Sequence, residues 1–160
     1  MNELFEHPNR VVFEVDNDYF IYDNKTDEKT DFVDENSKWN LKIEVRKYSL
    51  FIDNERFIMN QAQSGMKKCD WICFNDSDCY FIESKDVKTK LRKAARTDFD
   101  EKIEDTIQFY KKYNLSHLNL WGVLNFRSPN KVTSAASKDR KFKYNLKGIK
   151  YEELNCLQVL

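Results

Sequence analysis

Short apolar stretches in the first half of the chain predict β-strands. Through residues 39–45 every second position is apolar, which is the period of a half-buried strand. Residues 11–15 and 19–22 are apolar runs on either side of a polar turn, and residues 50–52 and 57–59 flank another. The pattern therefore predicts two hairpins and one further strand before the middle of the chain.

After residue 85 the apolar residues follow a helical period. Thr97 or Asp98 is a suitable N-cap, and Asn114 is a suitable end for the helix. One apolar stripe along this helix is formed by Phe99, Ile103, Ile107 and Tyr110. Residues 117–126 then predict a buried strand, and residues 149–160 predict the last strand of the chain.

Two polar stretches, residues 23–38 and 127–141, predict loops. We expect all 160 residues to form one domain, because a chain of this length buries a single core. Within it we distinguish a β-rich N-terminal portion at residues 1–48, a core at 49–126, and a polar loop with the final strand at 127–160. Several strands around one main helix predict an α+β or α/β fold built on a mixed sheet.

The composition excludes disorder as the main state of the chain. Aromatic residues make up 14% of the sequence, with three glycines and two prolines, although 34% is charged. The 27 basic residues balance the 27 acidic ones, so any contact with nucleic acid must come from a local patch. No stretch approaches the roughly 18–20 apolar residues of a membrane helix, so we expect a cytoplasmic protein.

The four cysteines predict buried free thiols rather than a metal site. Cys69, Cys73 and Cys79 lie on apolar segments, and Cys156 lies near the end of the sequence. No Cys-x-x-Cys spacing occurs, and the two histidines are distant in sequence. Reduced thiols packed into a core fit this pattern best, and they agree with a reducing compartment.

The most specific pattern in the chain is a predicted hairpin at residues 69–74 and 79–85. A polar turn joins the two apolar segments, so they should pair as antiparallel strands. Asp70 starts the first strand and Glu83 nearly ends the second, which brings both carboxylates to one end of the sheet. Glu83 and Lys85 share a face because side chains alternate along a strand. Two carboxylates and an ammonium group placed together can hold a divalent cation and activate a water.

Asp70 and the triplet Glu83-Ser84-Lys85 resemble the motif of the PD-(D/E)xK nuclease superfamily, in which an acid opens one strand and an acid-x-lysine triplet closes the next. The resemblance spans about residues 57–126 and includes the apolar residues before Glu83 and the helical stretch after the triplet. It implies a restriction-endonuclease-like fold, with a central mixed β-sheet and a main helix after the Glu-x-Lys strand. It also implies phosphodiester hydrolysis that depends on Mg²⁺ or Mn²⁺.

The resemblance assigns a role to each motif residue. Asp70 and Glu83, with the backbone carbonyl of Ser84, would be the metal ligands. Lys85 would be the catalytic cation that positions the attacking water and stabilises the transition state. The chain departs from the family at Cys69, where the family has a proline that ligates nothing. The alternative is that Glu83 and Lys85 form a strand-end ion pair worth at most about 1 kcal/mol.

A second departure concerns a further carboxylate, which the family usually supplies from a helix before these strands. In this chain the preceding segments predict strands instead. The candidates for the additional acid are Glu44 in the alternating strand, Glu55 in a turn, and Glu14. Glu44 lies between Ile43 and Val45, which are expected to face inward. Solvent exposure is the simpler explanation for each of the three, and we assign a role to none of them.

Basic residues crowd the segment directly after the motif: Lys88, Lys90, Arg92, Lys93 and Arg96. Such a run can bind a substrate through its phosphate backbone, which makes binding salt-dependent, or it can form a solvated face. Lys102 falls near the position where many family members carry a glutamine that faces the site. If Lys102 points inward, it adds a second cation there and joins the substrate-binding set.

These features predict a small Mg²⁺-dependent endonuclease that hydrolyses phosphodiester bonds, with DNA favoured over RNA as the nucleic acid. The resemblance also implies a homodimer or a place in a larger defence, repair or mobile-element complex. The alternative is a non-catalytic binding or accessory module that retains the fold, either a pseudonuclease or a partner-binding subunit. Zero net charge and the missing upstream acid favour the alternative, whereas the intact set of Asp70, Glu83 and Lys85 favours the enzyme.

Overall fold

The computed structural model describes residues 10–24, 29–54, 66–126 and 135–160. These residues form one six-stranded β-sheet, one four-stranded β-sheet and two α-helices. The strands are β1 (Arg10–Phe13), β2 (Asp18–Asn24), β3 (Lys29–Val33), β4 (Leu41–Val45), β5 (Ser49–Asp53), β6 (Trp71–Phe74), β7 (Asp78–Lys85), β8 (Asn119–Phe126), β9 (Ile149–Leu154) and β10 (Cys156–Val159). The helices are α1 (Arg92–Tyr110), α2 (Ala135–Asn145) and two 3-10 turns (Thr89–Leu91 and Lys111–Tyr113). No helix of the described residues is long and apolar enough to cross a membrane.

The six-stranded sheet has the order β1-β5-β6-β7-β8-β9. Its strands β6 and β7 form the hairpin predicted from the sequence, which we call the central hairpin. Strands β1, β5, β6 and β7 pair antiparallel, whereas β7, β8 and β9 pair parallel. Helix α1 connects β7 to β8 and α2 lies between β8 and β9 in the chain, because parallel neighbours need a crossover. The second sheet has the order β10-β4-β2-β3, with a parallel pair between β10 and β4. Both sheets are mixed, which confirms a mixed-sheet fold with α and β elements.

The central hairpin is buried on both faces, because α1 covers one face of the six-stranded sheet and the four-stranded sheet covers the other. On the helix side, Phe81 belongs to a core cluster that includes Phe99 and Ile103 of α1. On the other side, Trp71 belongs to a cluster that includes Ile43 of β4. A strand that is covered on both faces has an almost continuous apolar sequence, which explains the composition of β6 and β7.

The cysteines are free thiols, as the sequence predicts. Cys69, Cys73 and Cys79 are buried within or beside the central hairpin, and Cys156 is half-buried. Burial raises the pKa of the Cys73 thiol to about 12. The Cys73 thiol is therefore protonated at neutral pH and acts as a small apolar side chain in the core.

Helix α1 begins at Arg92, earlier than the predicted cap at residues 97–98. Arg92, Ala95 and Arg96 are buried and extend the apolar stripe of the helix by one turn. This extension could not be predicted from the sequence, because two arginines within a basic run are expected to lie on a solvent-exposed face. At the other end Asn114 has a φ of 53°, and this left-handed residue ends the helical segment as predicted.

The strands of the N-terminal portion pair differently from the prediction. β1 and β2 flank a tight turn in which Asp16 has a φ of 63°, but β1 pairs with β5 and β2 pairs with β3 and β4. Residues 23–38, predicted to be a loop, contain the end of β2 and all of β3. β3 shows no buried face along its length, so its sequence lacks the alternation that identifies a strand. In the other predicted hairpin, β5 pairs with β1 and β6, and residues 57–59 lie outside the described residues.

The C-terminal portion contains two further differences. Helix α2 occupies the second half of residues 127–141, which the sequence predicts to be a loop, and residues 127–134 lie outside the described part of the chain. Ser137 and Tyr144 are its buried residues, so α2 carries too few apolar positions to form a stripe. The predicted last strand is two strands, because the chain bends at Asn155 and passes from the first sheet into the second.

The contact between β8 and α1 depends on Gly122, where an added Cβ would lie 2.4 Å from Cδ1 of Ile103. We predict that Gly122→Ala lowers the free energy of unfolding by about 1–3 kcal/mol, the usual range for overpacking a core. Ile103→Val alone should cost about 0.5–1.5 kcal/mol. Because this second change removes Cδ1, the double variant should lose less stability than the sum of the two single variants. Urea unfolding of all four proteins measures this, and strict additivity would contradict the proposed contact.

Candidate functional site

The central hairpin brings Asp70 next to Glu83, as the sequence predicts. Trp71 pairs with Ile82 in the antiparallel register, which places the preceding Asp70 across from Glu83. The backbone N–H of Ser84 donates a hydrogen bond to Oδ2 of Asp70, with a distance of 2.7 Å. Both acids therefore lie at one end of the six-stranded sheet.

The backbone at Asp70 is fixed by buried polar side chains from β5 and α1. Next to β5, Asn54 donates its backbone N–H to the carbonyl of Asp70 and its side-chain amide to the carbonyl of Cys69, at 3.1 and 2.6 Å. The Tyr110 hydroxyl donates to Oδ1 of Asn54, and the N–H of Cys69 donates to Oγ1 of Thr106. These bonds determine the position at which the Asp70 carboxylate leaves the strand.

Glu83 is a buried carboxylate held by two lysines. It is 1% exposed, and its Oε1 lies 2.7 Å from Nζ of Lys85 and 2.5 Å from Nζ of Lys102. Lys85 comes from the same strand and Lys102 from α1, so the contact with Lys102 joins the sheet to the helix. The second oxygen, Oε2, is buried and has no hydrogen-bond partner among the described residues. A buried carboxylate oxygen in this state is available to a ligand that carries positive charge.

Lys85 has a second carboxylate partner, Asp98 of α1, at 2.9 Å. Burial alone would lower the pKa of Lys85, but Glu83 and Asp98 outweigh it and raise the pKa above the ordinary lysine value. Lys85 is therefore a permanent cation at neutral pH. The prediction from the sequence suggests Asp98 only as a helix cap and misses this contact. Its spacing of four residues from Lys102, on the same helix face, is the signal that points to the site.

The Asp70 carboxyl has a pKa well above its usual range. Burial is the first cause, and the negative charge of Glu83 is the second. Asp23 of β2 raises this pKa further, whereas Lys102 and the N–H of Ser84 lower it. The surroundings of Asp70 therefore disfavour its charged form, and a nearby cation would restore that form.

Asp23 is an acid that the sequence does not associate with the motif, because it belongs to the second sheet. It pairs with Thr30 across β2 and β3, and the two side chains share a face. Oγ1 of Thr30 accepts a hydrogen bond from the indole N–H of Trp71 at 2.8 Å, so this face is turned towards the first sheet. The structure therefore places Asp23 on the side of the second sheet that faces Asp70.

A chain of amides also links the two sheets behind the motif. The Asn125 side chain donates to Oγ of Ser84 at 2.9 Å and to the carbonyl of Asn40 at 2.8 Å. Oδ1 of Asn40 in turn accepts the backbone N–H of Asp23 at 2.8 Å. The Ser84 side chain thus points away from Glu83 and Lys85, as the alternation of the strand predicts.

Two of the three candidates for an additional acid, Glu44 and Glu14, do not join this group. Glu44 lies on the outer face of β4, where it binds Lys42 and Gln158, each at 2.8 Å, and these bonds lower its pKa to about 2. Glu14 is exposed and accepts a hydrogen bond from Asn17. Glu55 lies outside the described residues. Among the residues that the structure describes, no group of three or more histidines, cysteines, aspartates or glutamates has an arrangement that could hold a metal ion.

The basic segment after the motif divides into two kinds of side chain. Lys88, Lys90 and Lys93 are exposed, whereas Arg92 and Arg96 are 6% and 7% exposed. Arg96 forms a bidentate pair with Glu153 of β9, with distances of 2.7 and 2.8 Å. Arg96 is thus engaged in a structural ion pair, and the three lysines are the residues of the run that are open to solvent.

The chain matches no family model, no curated protein and no solved structure with which it was compared. What the site can do therefore follows from its geometry and charges. Two neighbouring carboxylates, one of them with an unpartnered buried oxygen, lie beside a permanent ammonium group. Carboxylate oxygens are the usual ligands of a hard divalent cation, so two of the donors that such an ion needs are present here.

The raised pKa of Asp70 predicts a pH-dependent stability in buffer without divalent ions. Between its ordinary value of 3.8 and the higher folded value, the folded protein binds more protons than the unfolded chain. The free energy of unfolding should therefore fall as the pH rises through this interval. Asp70→Asn, which can still accept the Ser84 N–H, should raise stability at pH 7 and flatten the dependence. Urea unfolding from pH 4 to 8 in EDTA tests this.

The matched control for this experiment is Asp139→Asn, which changes an exposed aspartate of α2. Its effect should stay within about 0.5 kcal/mol at every pH, as for most surface substitutions. A loss of stability at pH 7 in Asp70→Asn would contradict the account, since it would mean that the charged form of Asp70 stabilises the ligand-free fold.

Proposed function

We propose that this protein is a metal-dependent nuclease that hydrolyses phosphodiester bonds, with DNA as the favoured substrate. The observation that carries the proposal is the buried Glu83 carboxylate, whose Oε2 has no partner among the described residues. Asp70 and Lys85 lie on either side of it at the same sheet end. A divalent cation bound there would satisfy the free oxygen and relieve the repulsion between the two acids.

The order of elements supports a PD-(D/E)xK nuclease. One strand follows the first acid, the next strand carries Glu83 and Lys85, and the main helix comes directly after them. The sheet around them is mixed, with an antiparallel hairpin followed by parallel strands. The resemblance implies this arrangement, and a restriction-endonuclease-like fold is therefore part of the proposal.

Asp70, Glu83 and the backbone carbonyl of Ser84 would hold a Mg²⁺ or Mn²⁺ ion. When bound, such an ion lowers the pKa of a coordinated water and offsets the charge that develops on the phosphate. The charges around Asp70 would favour such a cation. Burial and the charge of Glu83 raise the pKa of Asp70, and a cation held by these two acids would offset this cost of ionisation.

Lys85 contributes a fixed positive charge rather than a base. Its raised pKa keeps it protonated, so it can donate hydrogen bonds to an attacking water or to a phosphate oxygen but cannot accept a proton. Asp98 and Glu83 hold its ammonium group in place, at 2.9 and 2.7 Å. A positioned cation of this kind stabilises the negative charge of the phosphorane-like transition state. Lys102 holds Glu83 from the helix side.

One observation favours the second candidate function, a non-catalytic binding or accessory module. Two ammonium groups already contact Oε1 of Glu83, so the carboxylate is compensated without any metal. The described residues also supply no third acid in a metal-binding arrangement. A module of this type would keep the contacts of Glu83 with Lys85 and Lys102, which we call the clamp, as a structural ion-pair network.

The test of the proposed function is cleavage of single- and double-stranded DNA and RNA with Mg²⁺, with Mn²⁺ and with EDTA. We predict metal-dependent cleavage that falls at least about 100-fold in Glu83→Gln and in Lys85→Met, because each change removes a charge next to the reacting phosphate. Asp139→Asn, which removes a carboxylate from the exposed face of α2, is the matched control and should cleave as the unchanged protein does.

Thermal unfolding supplies a readout that does not depend on turnover. Mn²⁺ should raise the midpoint of the unchanged protein, since a ligand of the folded state stabilises it, and should leave Glu83→Gln unaffected. If the unchanged protein cleaves none of the substrates and gains no stability from either ion, the nuclease proposal fails and the accessory module remains.

A further inference from the structure

Two arginines of α1 stack on a single aromatic ring at the end of β8. The guanidinium carbons of Arg92 and Arg96 lie 4.7 and 5.6 Å from the centre of the Phe126 ring. Glu153 compensates Arg96 through two hydrogen bonds. Arg92 differs, because its Nε is buried and has no hydrogen-bond partner among the described residues.

An orphaned donor on a guanidinium that is 6% exposed is costly for a folded protein. Arg92 is also the first residue of α1, so its charge adds to the partial positive charge that the helix dipole places at this end. Neither a capping side chain nor an acidic residue in the first turn offsets the N-terminal end of this 19-residue helix. The helix dipole favours an anion at this end.

The location of Phe126 relates this arrangement to the candidate nuclease site. Phe126 is the register partner of Lys85 across the parallel strands β7 and β8. Neighbouring strands lie about 4.8 Å apart, and side chains of partner residues point to the same face. The Arg92 guanidinium therefore lies one strand away from Lys85, on the face of the sheet that α1 covers.

We propose that Arg92 and the N-terminal end of α1 form a phosphate subsite, which binds a phosphate next to the scissile one on the same polynucleotide strand. This inference rests on the proposed nuclease function and deepens it. A guanidinium can bind a phosphate through two parallel N–H donors, and the helix dipole adds to the attraction. The preferred substrate is then a strand with at least two consecutive phosphates, because a single phosphodiester lacks the phosphate that this subsite binds.

Binding in EDTA tests the subsite without any turnover. The probe is a fluorescein-labelled oligothymidylate of six nucleotides, measured by anisotropy. Arg92→Met should weaken binding about 10- to 100-fold, the range for loss of charge-assisted hydrogen bonds. Lys111→Gln is the control, because it removes one exposed charge at the opposite end of α1 and should change the affinity less than about twofold. Equal losses in both variants would overturn the subsite.

Stability separates a binding role from a structural one. Arg92→Met removes an unpartnered buried donor, so the midpoint of urea unfolding of the ligand-free protein should stay the same or rise. Arg96→Met leaves the mostly buried Glu153 carboxylate with only the Tyr151 hydroxyl as a donor among the described residues, so that midpoint should fall. If Arg92→Met lowers the midpoint as Arg96→Met does, Arg92 is a structural residue and the subsite is wrong.

Two cleavage substrates distinguish failure of the subsite from failure of the nuclease. Arg92→Met should slow cleavage of the oligothymidylate by a larger factor than hydrolysis of bis(p-nitrophenyl) phosphate, which has a single phosphate. If the unchanged protein cleaves neither substrate but Arg92→Met still loses binding, the nuclease proposal fails and the phosphate subsite stands. If the unchanged protein cleaves the oligothymidylate and Arg92→Met binds and cleaves it equally well, the subsite fails and the nuclease stands.

Discussion

The buried carboxylate of Glu83 is the group on which the architecture around the site depends. A carboxylate that is 1% exposed requires compensating charge, and the compensation comes from β7 through Lys85 and from α1 through Lys102. The Glu83–Lys102 pair connects the central strand to the main helix, whereas the Glu83–Lys85 pair lies within β7. Asp98 extends the same network by holding Lys85 from the helix side. The site and the junction between sheet and helix are therefore one structure.

The second sheet contributes to the same centre from the opposite face. The amides of Asn125 and Asn40 connect Ser84 to β2, and this connection brings Asp23 to the side that faces Asp70. Asp23, Asp70 and Glu83 carry more negative charge than Lys85 and Lys102 compensate at this end of the sheet. This excess agrees with the raised pKa of the Asp70 carboxyl. Positive charge is in excess one strand away, at Arg92. A cation bound beside Asp70 would offset the excess negative charge, and a phosphate bound beside Arg92 would offset the excess positive charge.

The local part of this arrangement could be predicted from the sequence, and the long-range part could not. The hairpin, the common face of Glu83 and Lys85 and the end of the helical segment at Asn114 follow from alternation and turn chemistry within a few residues. The pairing of β1 with β5 and the contribution of Asp23 depend on distant partners, which no local period encodes. The early start of α1 was concealed because a buried arginine and an exposed one look the same in a sequence.

The most direct test of the central claim is an anomalous difference map from crystals of the protein soaked with Mn²⁺. The account predicts a peak within about 2.0–2.3 Å of carboxylate oxygens of both Asp70 and Glu83, as expected for a small hard cation bound to oxygen. Oε2 of Glu83, which has no partner among the described residues, should be one of the oxygens within this distance of the peak. Well-ordered density in which Lys85 and Lys102 still hold Glu83, with no peak beside either acid, would contradict the account and leave the clamp as a purely structural network.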